Sequence, residues 1–391
     1  MFKQNWTPNQ TGSLNFASEY VYDIISTSIA RSSNTQLAAS LSDRTIRILE
    51  VSANLQARET SSISAAHEKK ISKIALLEQS RSFASAGEDG VVKLWDLRSN
   101  ECVQEMTTGT TPLLSMAYSS LTNTLATGTE LDSQDAGLIV WDIRNSRVPA
   151  RSYLDSHNDD VTAVAFHPSV RHCLLSGSTD GLITRYDSGI SDEDDAVMQV
   201  INHGSSIHLA GFLDDHEDAN AMYAASHMET VAFYKYTNKE EEDEDPDPSK
   251  VPMELGDVRQ IWDCDYIIDI SPNQGYVAVG SNSKLQFSLL QMNASSIDPY
   301  NRITFDKAHG EEIVRTIMVD KISGYIASGG EDGRVNLWAI DERALLPHDD
   351  SGWQVSSKKK TSQKQSSDFE SIEYKGKHKH GNDKKHRFKP Y

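Results

Sequence analysis

Cysteine is scarce in this 391-residue chain: Cys102, Cys173 and Cys264 stand 71 and 91 positions apart. So wide a spacing supports neither a disulfide framework nor a zinc knuckle. Long apolar runs are missing as well. No stretch approaches the roughly 18 uncharged apolar residues that a membrane-spanning helix needs. The opening Met1-Phe-Lys-Gln-Asn-Trp6 has none of the basic-then-apolar layout of a secretory leader, so a soluble intracellular protein is expected. There is no glycine-rich phosphate loop, no nucleophile elbow and no zinc-ligand spacing. Gly280-Ser-Asn-Ser-Lys284 invites a phosphate-loop search but falls where a hairpin turn is needed. An enzymatic activity, a cofactor, a metal and a small-molecule substrate are therefore not expected. Basic residues are also in deficit, 38 Lys and Arg against 57 Asp and Glu, a formal charge of −19. That balance argues against a globular body binding nucleic acid by bulk charge. Hydrophobic residues, at 38%, are enough to build a core, which excludes wholesale disorder.

What the chain does contain is a repeat. Ser85-Ala-Gly-Glu-Asp89-Gly-Val-Val-Lys-Leu-Trp95-Asp96, Asp135-Ala-Gly-Leu-Ile-Val-Trp141-Asp142, Ser176-Gly-Ser-Thr-Asp180-Gly-Leu-Ile-Thr-Arg-Tyr186-Asp187 and Ser328-Gly-Gly-Glu-Asp332-Gly-Arg-Val-Asn-Leu-Trp338 share one plan. Each reads as a short apolar strand, a tight turn and a strand ending in an aromatic. Asp-Gly between alternating apolar runs is a strong hairpin signal, because the turn needs positive φ. The Asp column along the chain is Asp43, Asp89, Asp135, Asp180, Met228, Ser281 and Asp332, at intervals of 46, 46, 45, 48, 53 and 51. Six residues later stand Leu49, Trp95, Trp141, Tyr186, Tyr234, Phe287 and Trp338. Seven units are present, two of them degenerate.

These segments resemble WD40 repeats, propeller blades of about 40 to 45 residues. The resemblance implies an all-β, seven-bladed β-propeller over residues 1–350, with no room for an eighth blade. Ahead of the Asp turns stand His67, His157, His203 and His309, and Ser85, Ser176 and Ser328 precede their Asp by four residues. In the family such residues hydrogen-bond across one blade. Carried over, the network comprises His67, Ser85, Asp89 and Trp95; His157, Ser176 and Asp180; and His309, Ser328, Asp332 and Trp338. At one set per blade they would lie far apart around a ring, so a shared catalytic or metal site is not expected.

A closer resemblance, to the family of WD repeat-containing protein 89, covers roughly residues 35 to 340. It is carried by the insertion Gly128-Thr-Glu-Leu-Asp-Ser-Gln-Asp135, by Ser156-His-Asn-Asp-Asp-Val-Thr162, by the acidic Asp192-Glu-Asp-Asp195, and by Gly256-Asp-Val-Arg259, read as opening the sixth blade. It implies a non-enzymatic nuclear protein whose propeller faces bind other proteins. Trp95-Asp-Leu-Arg98 and Trp141-Asp-Ile-Arg144 are tandem WDxR motifs, which in the family occur in substrate receptors of the cullin-4 ubiquitin ligase. Carried over, Arg98 and Arg144 would dock the adaptor. The alternative is that each pairs with a neighbouring carboxylate.

Two charged segments lie outside the repeat pattern. Residues 239–250 are acidic, free of apolar side chains and read as an exposed loop between blades five and six, either a lure for basic partners such as histone tails or a solvated spacer. Residues 351–391 invert the sign, with eleven Lys and Arg against four acids, +7, leaving 27 basic and 53 acidic residues, −26, on residues 1–350. With no apolar period this tail is expected to be disordered. Lys358-Lys359-Lys360 and Lys384-Lys385-His-Arg387 look like a split nuclear-import signal, so a nuclear protein with a cytoplasmic share is expected, and the nucleolus stays open. Arg387, Phe388 and Tyr391 interleave charge with aromatics, a pairing suited to single-stranded RNA, so import alone and contact with RNA or a pre-ribosomal particle both stay open. His378 and His380 are too few for a metal. Residues 15–20 are expected to supply the strand that completes the last blade.

Overall fold

The computed structural model describes residues 8–27, 35–77, 81–132, 136–145, 148–213, 221–235, 253–293 and 296–340. They form seven four-stranded antiparallel sheets. Six blades use four consecutive strands each; blade two, for example, runs Ile71–Leu77, Ser82–Gly87, Val91–Asp96 and Cys102–Thr107. Blade seven takes three strands from Val314–Asp320, Tyr325–Gly330 and Arg334–Ala339, and its fourth from the N-terminal Gln10–Asn15.

The closing strand runs antiparallel to the third strand of blade seven, with Gln10 opposite Trp338 and Asn15 opposite Arg334. Gln10 Nε2 donates to Asn336 Oδ1 at 2.9 Å and Thr11 Oγ1 to Leu337 O at 3.1 Å. The expected strand over 15–20 is thus corrected: it lies at 10–15, and residues 16–20 turn into blade one. Asp23 adds a second tie at the closure. It accepts from Thr316 Oγ1 of blade seven at 3.4 Å and from Ile74 N of blade two at 3.2 Å, and pairs with Lys73 Nζ at 3.1 Å.

The second strands explain the sequence pattern best. Ser82–Gly87, Thr124–Thr129, Cys173–Ser178, Ala221–Ser226, Tyr276–Ser281 and Tyr325–Gly330 are buried at every residue. A strand with a neighbouring blade on each face cannot alternate polar and apolar, so small and apolar residues fill it. Each first strand carries one register shift near its start, such as Ile71/Lys73 and Val314/Thr316. Such bulges bend and twist the strand.

The core is seven separate seams. One cluster joins blades two and three through Leu94, Met106, Leu125 and Trp141; another joins blades seven and one through Leu37, Leu49, Tyr325 and Leu337. No blade can bury both its faces alone, which is why the ring must close.

Two sequence assignments shift by one strand. Lys235 ends the third strand of blade five and Met253–Asp257 is its fourth, so residues 236–252 join two strands of one blade and do not lie between blades five and six. Gly256 and Asp257 likewise end blade five and do not open blade six. No apolar-strand pattern marks Met253–Asp257, an outer strand with no fully buried residue.

Candidate functional site

In blade two, Trp95 Nε1–H donates to Ser85 Oγ at 2.8 Å, Ser85 Oγ–H to His67 Nε2 at 2.6 Å, and His67 Nδ1–H to Asp89 Oδ1 at 3.0 Å. The carboxylate only accepts, which fixes the imidazole tautomer and so the direction of the chain. Asp89 also accepts from Glu68 N at 2.8 Å and Val91 N at 3.2 Å. Burial pushes His67 below its ordinary pKa, which keeps it neutral. Burial opposes ionisation of Asp89, but the Glu68 amide and His67 together hold its carboxyl below the ordinary range.

Blade seven repeats the chain, with Trp338 to Ser328 at 3.1 Å, Ser328 to His309 at 2.8 Å and His309 to Asp332 at 2.7 Å. In blade four His157 meets Asp180 at 3.1 Å and Ser176 at 2.6 Å, while the Tyr186 hydroxyl lies 3.4 Å from Ser176 Oγ. Ser–His–Asp at these distances is also the geometry of a hydrolytic triad. Here Ser85, Ser176 and Ser328 are 0% exposed, and in blades two and seven a tryptophan N–H already donates to the hydroxyl. The groups serve one another and hold the blade.

Blades five and six solve the same problem with other groups. His203 meets the Tyr234 hydroxyl at 2.7 Å and Thr230 Oγ1 at 2.9 Å, with no carboxylate in the set. In blade six the acid comes from the preceding connection: Asp265 accepts from Ser281 Oγ at 3.1 Å and Ser283 N at 3.0 Å. In blade three the buried Trp141 Nε1 has no acceptor among the described residues. Asp135 lies outside the described residues.

Arg98 and Arg144 occupy equivalent connections, between third and fourth strands of adjacent blades, on the face opposite the Asp turns. Their side chains are 75% and 68% exposed. Arg98 Nη2 donates to Asp96 Oδ2 at 3.1 Å, and Arg144 donates through Nε at 2.9 Å and Nη2 at 2.8 Å to Asp142. The Arg98 side-chain contact pulls Asp96 down to about 2. Arg259 makes the same clasp on Asp257, so Asp-x-Arg is first of all a local turn lock. Gln104 Nε2, in the fourth strand of blade two, donates to Ile143 O beside Arg144 at 3.1 Å, which ties that strand to the connection of blade three.

One clasp was not visible in the sequence. Asp192 caps a single helical turn, Glu193–Ala196, in blade four. Glu193 reaches back to blade three, where its carboxylate accepts from Leu154 N at 2.6 Å, Asp155 N at 3.1 Å and Ser156 Oγ. Contacts 37 to 39 residues apart leave no local signal. Among the described residues, no group of three or more His, Cys, Asp or Glu could hold a metal, and no helix is long and apolar enough to cross a membrane. Lys358, Lys359, Lys360, Lys384, Lys385, Arg387, Phe388 and Tyr391, with the acidic 239–250, lie outside the described residues.

The family model "WD domain, G-beta repeat" matches residues 59–96, 148–187 and 301–339. These are the three units that carry a His–Ser–Asp network. Over 281 residues the chain is 32% identical to a WD repeat-containing protein of Schizosaccharomyces pombe, covering 69% of this chain and 83% of that one. The chain belongs to the WD40-repeat family. A Saccharomyces cerevisiae WD repeat-containing protein is 38% identical over 271 residues, 68% of this chain and 66% of that relative, so the chain spans about two thirds of it. A WD repeat-containing protein 89 homolog of Dictyostelium discoideum is 25% identical over 310 residues, 77% and 79% of the two chains. The ring is thus a WD40 propeller of the WD repeat-containing protein 89 type. Proteins of this family are generally non-enzymatic scaffolds, and the four blades without a model match keep the four-stranded plan, blades five and six with substitute polar groups.

Proposed function

We propose that the protein is a nuclear interaction scaffold whose propeller faces dock other proteins while residues 351–391 supply an import signal and contact RNA or a pre-ribosomal particle. The observation that carries this reading is the segregation of charge, −26 on residues 1–350 against +7 on 351–391. An acidic ring repels polyanions, whereas short Lys/Arg clusters interleaved with Phe388 and Tyr391 suit phosphate contact and base stacking. Deleting 356–391 should lower both the nuclear fraction and ultraviolet crosslinking to RNA. Survival of both would refute the reading.

A second reading is favoured by the placement of Arg98 and Arg144, exposed at equivalent positions of neighbouring blades. Arginines held in a fixed pose are suited to anchor a protein interface, and the reading makes the chain a cullin-4 substrate receptor. Purification of wild type beside the Arg98→Ala/Arg144→Ala double variant tests it: the ligase adaptor should be present with the first and lost with the second. Its absence from both preparations, or retention by the variant, removes the reading.

A further inference from the structure

Residues 188–196 join the third strand of blade four, Leu182–Asp187, to its fourth, Val197–Asn202. Ser191 is exposed there and is followed by Asp192, Glu193, Asp194 and Asp195. No other serine among the described residues precedes four consecutive carboxylates. Asp192, Asp194 and Asp195 are exposed, while Glu193 is turned back onto blade three. We propose that Ser191 is a phosphorylation site for an acidophilic serine kinase, and that the phosphate loosens the Glu193 clasp between blades three and four.

The chemistry is an ordinary phosphoryl transfer. The Ser191 hydroxyl oxygen bonds to the γ-phosphorus of ATP, the bond to the β,γ-bridging oxygen breaks and ADP leaves. The hydroxyl proton passes to the general base of the kinase. A kinase with a basic substrate cleft would engage the carboxylates one, three and four residues after the acceptor. The local structure can yield to such a cleft. Its helical turn rests on two backbone bonds, Ala196 N to Asp192 O at 2.9 Å and Val197 N to Glu193 O, and on Asp195 N to Asp192 Oδ1 at 3.4 Å. A single turn is weakly cooperative and opens readily.

The consequence follows from position. A phosphoserine carries about −1.5 to −2 charges and would stand two residues before the carboxylate that accepts from Leu154 N and Asp155 N. Like charge at that range disfavours the ionised Glu193 in its present place. Arg151 is at hand on blade three, where its Nη2–H donates to Gly189 O at 3.0 Å, and offers the phosphate a partner of opposite sign. The loop then exchanges one clasp on blade three for another, and the Leu154 and Asp155 amides lose their acceptor.

The test uses the full chain, ATP and casein kinase 2 as the acidophilic probe, with a control peptide to show that the kinase is active. Peptide mapping should find phosphate on residues 188–197 in the wild type and none there in Ser191→Ala. Hydrogen exchange in the peptide spanning 151–157 should then quicken roughly three- to fivefold on phosphorylation, as expected for a screened like-charge contact. Glu193→Gln shows what a loosened clasp looks like by the same readout. An unmodified 188–197 peptide under an active kinase overturns the site. Phosphate on Ser191 with unchanged exchange at 151–157 overturns the coupling.

Discussion

Asp89→Ala separates a buried blade network from an exposed turn. Its removal leaves His67 Nδ1–H, on a residue 1% exposed, with no acceptor. Stranding a buried donor costs about 1 to 3 kcal/mol. Switching the imidazole tautomer does not help, because Nδ1 then becomes a buried acceptor without a donor. The Glu68 amide, on an exposed residue, regains water at little loss. The expected total is about 2 to 3 kcal/mol. Asp43→Ala is the matched control from blade one. There the carboxylate accepts from Thr45 N, Thr45 Oγ1 and Arg47 Nη2, and its side chain is 27% exposed. Arg47 can be rehydrated and keeps Glu59 as a partner, whereas Thr45 is buried at the edge of its turn, so this substitution should cost about 1 to 2 kcal/mol, less than Asp89→Ala. Asp89→Asn, which keeps an oxygen for the imidazole, should fall between the two. Urea unfolding followed by tryptophan fluorescence would measure all three, with the slopes compared because a ring of blades can depart from two-state behaviour. Equal losses for Asp89→Ala and Asp43→Ala would refute the network as a stabilising unit.

Further outcomes follow from the same geometry. Gly87→Ala would put a methyl 2.5 Å from both His67 Nδ1 and Asp89 Oδ1, so it should cost at least as much as Asp89→Ala, about 2 kcal/mol or more in the same denaturation assay. Trp95→Phe removes an N–H that Ser85 accepts, whereas Trp141→Phe removes one without an acceptor, so the first should be the more destabilising by about 1 kcal/mol. Burial pushes His208 from its ordinary 6.5 down to about 4 and also lowers His67 and His203. Between those values the unfolded chain binds protons that these folded histidines refuse, so stability should fall as pH drops from about 6.5 towards 4. His208→Asn should flatten that decline in melting temperature, and an unaltered slope would count against it. Deleting residues 1–15 removes the fourth strand of blade seven and should lower the melting temperature sharply; an unchanged value would mean that Gln10–Asn15 does not secure closure.

Much of the fold was legible because a propeller repeats one physical solution. Each Asp-Gly turn forces a hairpin, and the near-even interval between turns counts the blades. The His–Ser–Asp spacing could be recognised for a related reason. A strand buried on both faces tolerates few polar groups, so those present must pair, and their positions recur in three blades. Where the pairing changes, the signal fades. Blade six moves its carboxylate to Asp265, and blade five replaces it with Tyr234 and Thr230, although both still fold as four-stranded sheets. The fourth strand of blade five was misplaced because an outer, largely exposed strand needs no apolar period.

The sequence by itself determined seven antiparallel units, the turn at most of their second hairpins, and the division of charge between residues 1–350 and 351–391. Those properties are local, set by backbone preference and composition. Only the tertiary structure decided that Gln10–Asn15 closes the ring, that Asp23 bridges three blades, and that Glu193 clasps the strand containing Leu154 and Asp155. Each joins groups that are distant in the chain, and only closure of the ring and the packing of neighbouring blades bring them within reach.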